Sequence, residues 1–373
     1  MKILIDFSQI PLQKVGVGIY ALNLVSQIYR LDQENTYYML VQDDESALNF
    51  IDDKRFTVIK AKSKIFRKFA FRFILEQIYI PYLVLRHKID MVHSLHYSFP
   101  LFAPAKKAVT VHDLTFYKSA RSHQFIKRYY FGGFLYLVAI FADRIIVDSN
   151  STSNDFLQKF KVNQKKITVA HLGKDASFRP GLDQDKIEEV KTKYGIKKDY
   201  FLYLGTIEPR KNIRRLILAF NRFLKENSSY QLVIAGKKGW GYEEVFVLAD
   251  DLHLEGSVNF IGFIDEKDKP YLISGAKIFI YPSLYEGFGI PVLEAMSCGI
   301  PTITSNVSSL AEISGGAALL INPLDENELY LNMKKILDDP VLYNDLKQNS
   351  IQRAKKFSWE ITAAKTMEVY NSI

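Results

Sequence analysis

The chain has 373 residues, 48% of them hydrophobic, a formal charge of +8 and a single cysteine, Cys298. That length predicts two domains, and one cysteine excludes an intrachain disulfide and a cysteine metal cage and agrees with a reducing cytoplasm. A charge excess this mild predicts an anionic partner without naming it, and the longest apolar run, Phe131 to Ala142, carries two glycines and is too short to span a bilayer.

The chain opens on Met1-Lys2-Ile3-Leu4-Ile5-Asp6, which meets an acid at once and lacks a signal-peptide layout. Ile3–Ile5 begins a series of short, branched, apolar runs: 38–41, 57–59, 91–93, 109–111, 145–147 and 168–170. These read as buried parallel strands, with helical patterns such as Ile19 to Leu31 between them. Such alternation predicts a doubly wound α/β domain. Ligands bind beyond the carboxyl ends of its strands, so the loops there deserve the closest reading.

The first of those loops holds Gly16-Val17-Gly18-Ile19-Tyr20-Ala21, and Asp43 follows the next strand. On paper this is a dinucleotide fingerprint with its ribose acid. The stretch 8–15 is too long for that tight turn, so Gly16 and Gly18 read as the floor of a loop that lets backbone approach a ligand. A flexible surface loop is the alternative. Further on, Lys60, Lys62, Lys64, Arg67, Lys68 and Arg72 come together without an acid among them, and Phe66, Phe69, Ala70 and Phe73 follow helical spacing. A basic amphipathic helix of this kind suits an anionic membrane surface, or else turns its aromatic stripe to the core. Tyr129-Tyr130-Phe131 after Lys127-Arg128 is a weaker second candidate. A single local cluster without a recognition motif argues against nucleic-acid binding. His112 and Asp113 follow the strand 109–111, where a histidine can donate to a sugar hydroxyl or a developing charge. His93, His96 and His171 are poorer candidates.

A polar stretch from Arg179-Pro180-Gly181 to Lys193 reads as the linker, giving domains at 1–178 and 179–357. A second strand series follows at 200–204, 232–235, 258–261, 278–281, 302–304 and 319–321. After its first strand, Arg210 and Lys211 meet at a helix start, where the dipole disfavours cations. An anion between them would repair that, and a fork plus a point charge suit a diphosphate. The alternative is a solvated pair leaning on Glu208 and Glu226. Gly236 to Trp240 and Gly262-Phe263-Ile264 are candidate walls of a base pocket. The most telling run is Glu286-Gly287-Phe288-Gly289-Ile290-Pro291-Val292-Leu293-Glu294. It reads as a glycine turn opening a helix at Pro291, whose first amides can cradle an anion. Carboxylates on both sides can accept from hydroxyls, which describes a nucleotide-sugar. From Ser358 the chain reads as a final helix.

These motifs together resemble the retaining glycosyltransferase family 4, most of all its bacterial mannosyltransferase-like members. The residues that carry the likeness are Leu204 to Asn212, Gly236 to Trp240, and Tyr281 through Met296. His112-Asp113, Gly16-Val17-Gly18 and Leu172-Gly173-Lys174-Asp175 fall at further landmarks. The resemblance implies a GT-B fold, two Rossmann-like doubly wound domains facing a central cleft, with the helix 358–373 packing back on the first. It implies that Arg210 and Lys211 hold the donor diphosphate and that amides near Phe288, Gly289 and Ile290 complete the cradle. Glu286 would contact the donor sugar or its phosphate, Glu294 the ribose, and His112 the sugar near the reacting carbon. Thr206 stands where many members have arginine, and Leu172 where many have asparagine.

The expected reaction is transfer of a hexose from a nucleoside diphosphate sugar to a hydroxyl of a glycan or lipid-linked acceptor, with retention. GDP-mannose is the expected donor, by resemblance alone, and surface polysaccharide synthesis the setting. No residue stands out as a covalent nucleophile, so front-face attack is expected. No Asp-x-Asp motif lies at a suitable strand end, and Asp43-Asp44 and Asp52-Asp53 read as surface acids, so neither metal nor cofactor is expected. The place of action is the cytoplasm, with peripheral contact at the inner membrane face. Three other readings remain: an NAD-dependent oxidoreductase built on Gly16 to Ala21 and Asp43, a sugar-nucleotide epimerase, and a non-catalytic nucleotide-sugar-binding subunit.

Overall fold

The computed structural model describes residues 1–12, 14–66, 68–118 and 125–373. It divides into two compact units, Met1–Gly173 with Trp359–Ile373, and Lys174–Ser358. The boundary between them falls after Gly173, five residues before the one the polar stretch from Arg179 predicts.

The first unit is built on a seven-stranded parallel sheet. Its strands are β1 (Lys2–Asp6), β2 (Thr36–Gln42), β3 (Phe56–Ala61), β4 (Met91–Ser94), β5 (Lys106–Val111), β6 (Arg144–Val147) and β7 (Ile167–Val169), in the order β3-β2-β1-β4-β5-β6-β7. The inner strands are short apolar runs because both their faces are covered, whereas the edge strand β3 leaves Thr57, Val58 and Lys60 exposed. The helix Val17–Leu31 turns Tyr20, Ala21, Leu24, Val25 and Ile28 inward at helical spacing. The last helix, Trp359–Asn371, packs beside it. Trp359 lies 6.5 Å from Tyr20 between ring centroids, the Thr362 hydroxyl donates to the His171 carbonyl at 2.6 Å, and the Tyr370 hydroxyl meets the buried His93 Nδ1 at 2.6 Å.

The second unit carries six parallel strands, β8 (Asp199–Leu204), β9 (Tyr230–Ala235), β10 (Val258–Gly262), β11 (Ile278–Tyr281), β12 (Thr302–Ser305) and β13 (Leu319–Ile321), in the order β10-β9-β8-β11-β12-β13. Strand order reverses direction at β8 and β11, and such a switch point opens a crevice beyond the strands' carboxyl ends. The segment read as a linker is a helix over Gln184–Lys193, capped by Asp183 and burying only Ile187 and Val190. Two apolar residues suffice there because Gly275 lets the Ile187 side chain come close.

In the basic stretch, Arg67 lies outside the described residues, as do the side chains of Phe69, Ala70, Lys127, Arg128 and Tyr129. Lys62, Lys64 and Lys68 are exposed. Arg72 turns inward instead, its Nε 2.9 Å from the Glu76 carboxylate and a terminal nitrogen 2.8 Å from the Ser98 hydroxyl.

Candidate active site

In the second unit, the switch point brings the loops after β8 and β11 side by side. The loop after β8 passes through a 3-10 turn, Pro209–Lys211, and reverses at Asn212, which has a positive φ of 61°. The Asn212 side-chain amide donates to the carbonyls of Pro282 at 3.0 Å and Pro323 at 2.6 Å. Asn212 therefore locks the two loops together.

Through that lock three side chains read separately in the sequence become one cluster. Lys211 Nζ lies 2.6 Å from Glu286 Oε1 and donates to the Tyr281 hydroxyl at 2.7 Å. An Arg210 terminal nitrogen lies 3.0 Å from Glu286 Oε2 and donates to the Tyr285 carbonyl at 2.6 Å. On its other side Arg210 meets Glu208 at 2.8 Å. The Ser283 hydroxyl donates to Glu286 Oε1 at 2.6 Å. The anion that the two cations call for at the helix start is thus supplied by the chain itself. Glu226, the other acid considered for this pair, contacts Lys334 and Tyr330 instead.

Lys211, Ser283 and Glu286 are buried and Arg210 and Glu208 partly so, and charge states follow from contacts. Burial opposes ionisation of Glu286, but Lys211 and Arg210 outweigh it and hold the carboxyl down at about 2. Burial lowers the Lys211 pKa, with Arg210 adding to the shift and Glu286 opposing it.

The helix Ile290–Ser297 begins at Gly289, with Pro291 in its first turn and no side-chain cap. Gly289 has a φ of 108°, and a Cβ there would lie 2.7 Å from the Leu310 side chain. Only glycine holds that turn without strain. The Ser309 hydroxyl donates to the carbonyls of Glu286 and Phe288 at 3.0 and 2.8 Å, which fixes the loop. Phe288 is buried against Phe357. Glu294, one turn inside the helix, makes no ion pair among the described residues. Burial pushes its carboxyl up to about 7, Lys269 offsetting only part of this and Glu266 and Asp175 adding to it.

The loop after β9 lies against the loop after β8. The Ile207 amide donates to the Lys237 carbonyl and the Gly239 amide to the Ile207 carbonyl, both at 2.9 Å. Phe263 is exposed with Lys237 Nζ 5.9 Å from its ring centroid, whereas the Ile264 side chain is buried. Of these two, only Phe263 offers a ring to a ligand.

In the first unit, His112 sits just past β5. Its Nδ1 is 2.7 Å from Asp148 Oδ2 and its Nε2 3.0 Å from the Leu95 carbonyl. A carbonyl only accepts, so Nε2 donates to Leu95, while Nδ1 and Asp148, whose carboxyl burial also shifts upward, hold a proton between them. Burial alone would lower the pKa of this histidine. Asp148 and the Leu95 carbonyl overturn that, and the net shift is upward. Asp148 was missed in the sequence, since nothing local marks an acid after β6 as a histidine's partner. His93 is pulled down to about 3 by burial and bonds Thr110 and Tyr370, a structural role. Gly16 caps the first helix with a φ of 52° and has open space beside it, while Gly18 is buried within the helix. Asp43 accepts from the Ser63 amide at 2.9 Å, which gives that acid a local capping task. Among the described residues no group of three His, Cys, Asp or Glu side chains is placed to hold a metal ion.

The model of the glycosyl transferases group 1 family matches residues 184–353, and that of glycosyltransferase family 4 matches residues 15–178. Over 267 residues the chain is 31% identical to the O-antigen chain mannosyltransferase B of Escherichia coli, across 71% of this chain and 70% of that protein. The chain belongs to glycosyltransferase family 4. The oxidoreductase and epimerase readings end with that assignment. This glycosyltransferase is also 37% identical over 236 residues to the serotype-specific mannosyltransferase WbdA of Escherichia coli, a stretch that is 62% of this chain but only 29% of WbdA. In fold the glycosyltransferase is similar to Anabaena HepE, solved with UDP and glucose, at a TM-score of 0.78 and 18% identity over 100% of both chains. It is equally similar to the sucrose-phosphate synthase of Thermosynechococcus elongatus, at 0.78 and 19%, covering 100% of this chain and 98% of that one. The glycosyltransferase has the GT-B fold.

Proposed function

We propose that this glycosyltransferase moves mannose from GDP-mannose to a hydroxyl of a glycan or lipid-linked acceptor in bacterial surface polysaccharide synthesis, with retention and without a metal ion. The observation that carries the reading is the Arg210–Lys211–Glu286 cluster beside the uncapped start of the helix Ile290–Ser297, with Lys211 and Glu286 buried. The mannosyl group rests on the names of the relatives, O-antigen chain mannosyltransferase B and WbdA.

Lys211 has three N–H donors and spends two on Tyr281 and Glu286, so one remains for a phosphate oxygen. Glu286 holds both cations in place before the donor arrives, which is the preorganisation that stabilises a leaving group most. Amides around Phe288, Gly289 and Ile290 face the same charge at the helix start. Glu294 accepts from the ribose hydroxyls. The bond from the anomeric carbon to the diphosphate oxygen breaks as the acceptor oxygen bonds to the same face. The acceptor proton passes to the departing phosphate oxygen. Two fixed cations do here what a divalent ion does elsewhere.

The test is a thermal-shift screen of GDP-mannose against other nucleotide-sugars, followed by transfer assays. GDP-mannose is expected to raise the melting point most, since a ligand for the native state alone stabilises it. Arg210→Ala and Lys211→Ala should each weaken that shift and lower kcat/KM at least about 100-fold. Wild-type rates in both variants would remove the phosphate assignment. Activity abolished by a chelator and restored by magnesium would overturn metal independence.

A further inference from the structure

One helical layer of the first unit is apolar on both its sides. The registers Leu4↔Val92, Ser94↔Val109 and Val109↔Ile145 put these residues on one face of the parallel sheet. Against that face pack Leu75, Ile80, Leu83 and Val84 of the segment Phe69–His87, and Phe131, Phe134, Leu135 and Val138 of the helix Phe125–Phe141. The loop between them ties the two together. The Gln77 side chain donates to the Phe99 carbonyl and accepts from the Leu101 amide, both at 2.9 Å, and the Phe99 ring lies 6.2 Å from Phe134.

The outer surface of this layer is not polar. Ile74 is 42% exposed, Ile78 63%, Leu85 69%, Phe102 69%, Tyr136 59% and Ile140 48%. They come from both helices and from the loop between β4 and β5. Large apolar side chains grouped in this way mark an interaction face. The stretch of sequence that carries these residues is also strongly basic. Between Lys54 and Ala142 the sequence has sixteen lysines and arginines against three acids, Glu76, Asp90 and Asp113. The rest of the chain then has thirty-three cations against thirty-eight acids, so the whole positive excess belongs to this region. Glu76 is buried against Arg72, and Asp90 accepts from the Lys2 amide. No helix among the described residues is long and apolar enough to cross a membrane.

We propose that this outer layer docks on the surface of an anionic lipid bilayer. Leu85, Ile78, Phe102, Tyr136 and Ile140 enter the headgroup boundary, and exposed cations of the same region such as Arg86 and Lys88 meet the lipid phosphates. The apolar anchor therefore lies on 74–85, 102 and 136–140, beyond the basic run 60–72 that the sequence singles out. Charge alone would hold such a surface weakly in physiological salt, and apolar insertion is the part that salt does not screen. This face is independent of the donor assignment, and either can fail without the other.

The test is co-sedimentation of the full chain with vesicles of equimolar phosphatidylglycerol and phosphatidylcholine, beside vesicles of pure phosphatidylcholine. The wild type should bind the anionic vesicles and leave the neutral ones. Ile78→Glu combined with Leu85→Glu should weaken binding at least about tenfold, with an unchanged melting point, because both side chains point into solvent. A wild type that stays in the supernatant with anionic vesicles overturns the proposal, and so does a double variant that sediments like the wild type. A double variant that turns an oligomer into a monomer, with no vesicle binding by either protein, overturns it in favour of an interface between copies of the chain.

Discussion

Glu286 and Glu294 flank one glycine turn, and burial acts on both, yet they end in opposite states. Two cations reach Glu286 and hold it down at about 2, whereas Glu294 makes no ion pair among the described residues and rises to about 7. The pH consequences have opposite signs. Glu294 starts from 4.5 in the unfolded chain, so between about 4.5 and 7 the native chain keeps a proton that the unfolded chain has lost. Its contribution to stability is present below that window and lost as pH rises through about 7. Glu286 contributes stability above its unfolded value, lost only as pH falls through about 2. Glu294→Gln should therefore flatten the dependence of urea stability on pH between 5 and 8, gaining on the order of 3 kcal/mol at pH 8. Donor binding should respond in the reverse sense, since the ionised carboxylate is the better acceptor for ribose hydroxyls. The thermal shift by GDP-mannose should grow from pH 6 to pH 8 in the wild type and stay flat in Glu294→Gln. An unchanged pH profile of stability in the variant would show that another group titrates there. At this scale residue types were legible and charge states were not, because a carboxylate's pKa depends on neighbours many positions away.

The thirteen strands could be read at the level of elements because a parallel strand covered on both faces is a continuous apolar run. The helix Gln184–Lys193 could not, because with Ile187 and Val190 as its only buried residues its composition imitates a linker. Glycines decide how the loops beyond those strands approach one another. Gly236 has a φ of 146°, and a Cβ there would stand 1.9 Å from the Gly205 carbonyl oxygen. Gly236→Ala must push apart the loops after β8 and β9, and should destabilise by about 2 kcal/mol or more while weakening the nucleotide thermal shift. Gly16 is the control. It also has a positive φ, but nothing lies within 4 Å of its Cβ position. Gly16→Ala, at φ 52° and ψ −111°, should cost the backbone penalty alone, about 1–3 kcal/mol, and less than Gly236→Ala. Equal losses at the two sites, read from urea midpoints, would refute the steric argument.

At the scale of the whole chain, the C-terminal segment is the piece that sequence order misplaces. Trp359–Ile373 belongs with Met1–Gly173, and its Tyr370 hydroxyl is the partner of a histidine 277 positions earlier. A chain ending at Ser358 leaves His93 Nδ1 unpaired in an apolar interior and uncovers the helix Val17–Leu31. Both changes destabilise the first unit strongly. That truncated chain should lose the transition of the first unit in calorimetry. The second unit, continuous over Lys174–Ser358, should keep a cooperative transition and its nucleotide thermal shift. A truncated chain with both transitions intact would contradict this account of the last helix.

Sequence by itself determined what short-range physics encodes: apolar runs for strands, a proline and glycines for a bare helix start, and two cations where a helix disfavours them. It also carried the family, through motifs whose spacing follows the loops beyond each strand. Tertiary structure alone decided that Lys211 meets Glu286 across 75 positions, that His112 meets Asp148, and that burial dominates the charge of Glu294. The reason is strand order. With β11 hydrogen-bonded beside β8, loops far apart along the chain share one crevice, and the desolvation there sets charges that no local pattern records.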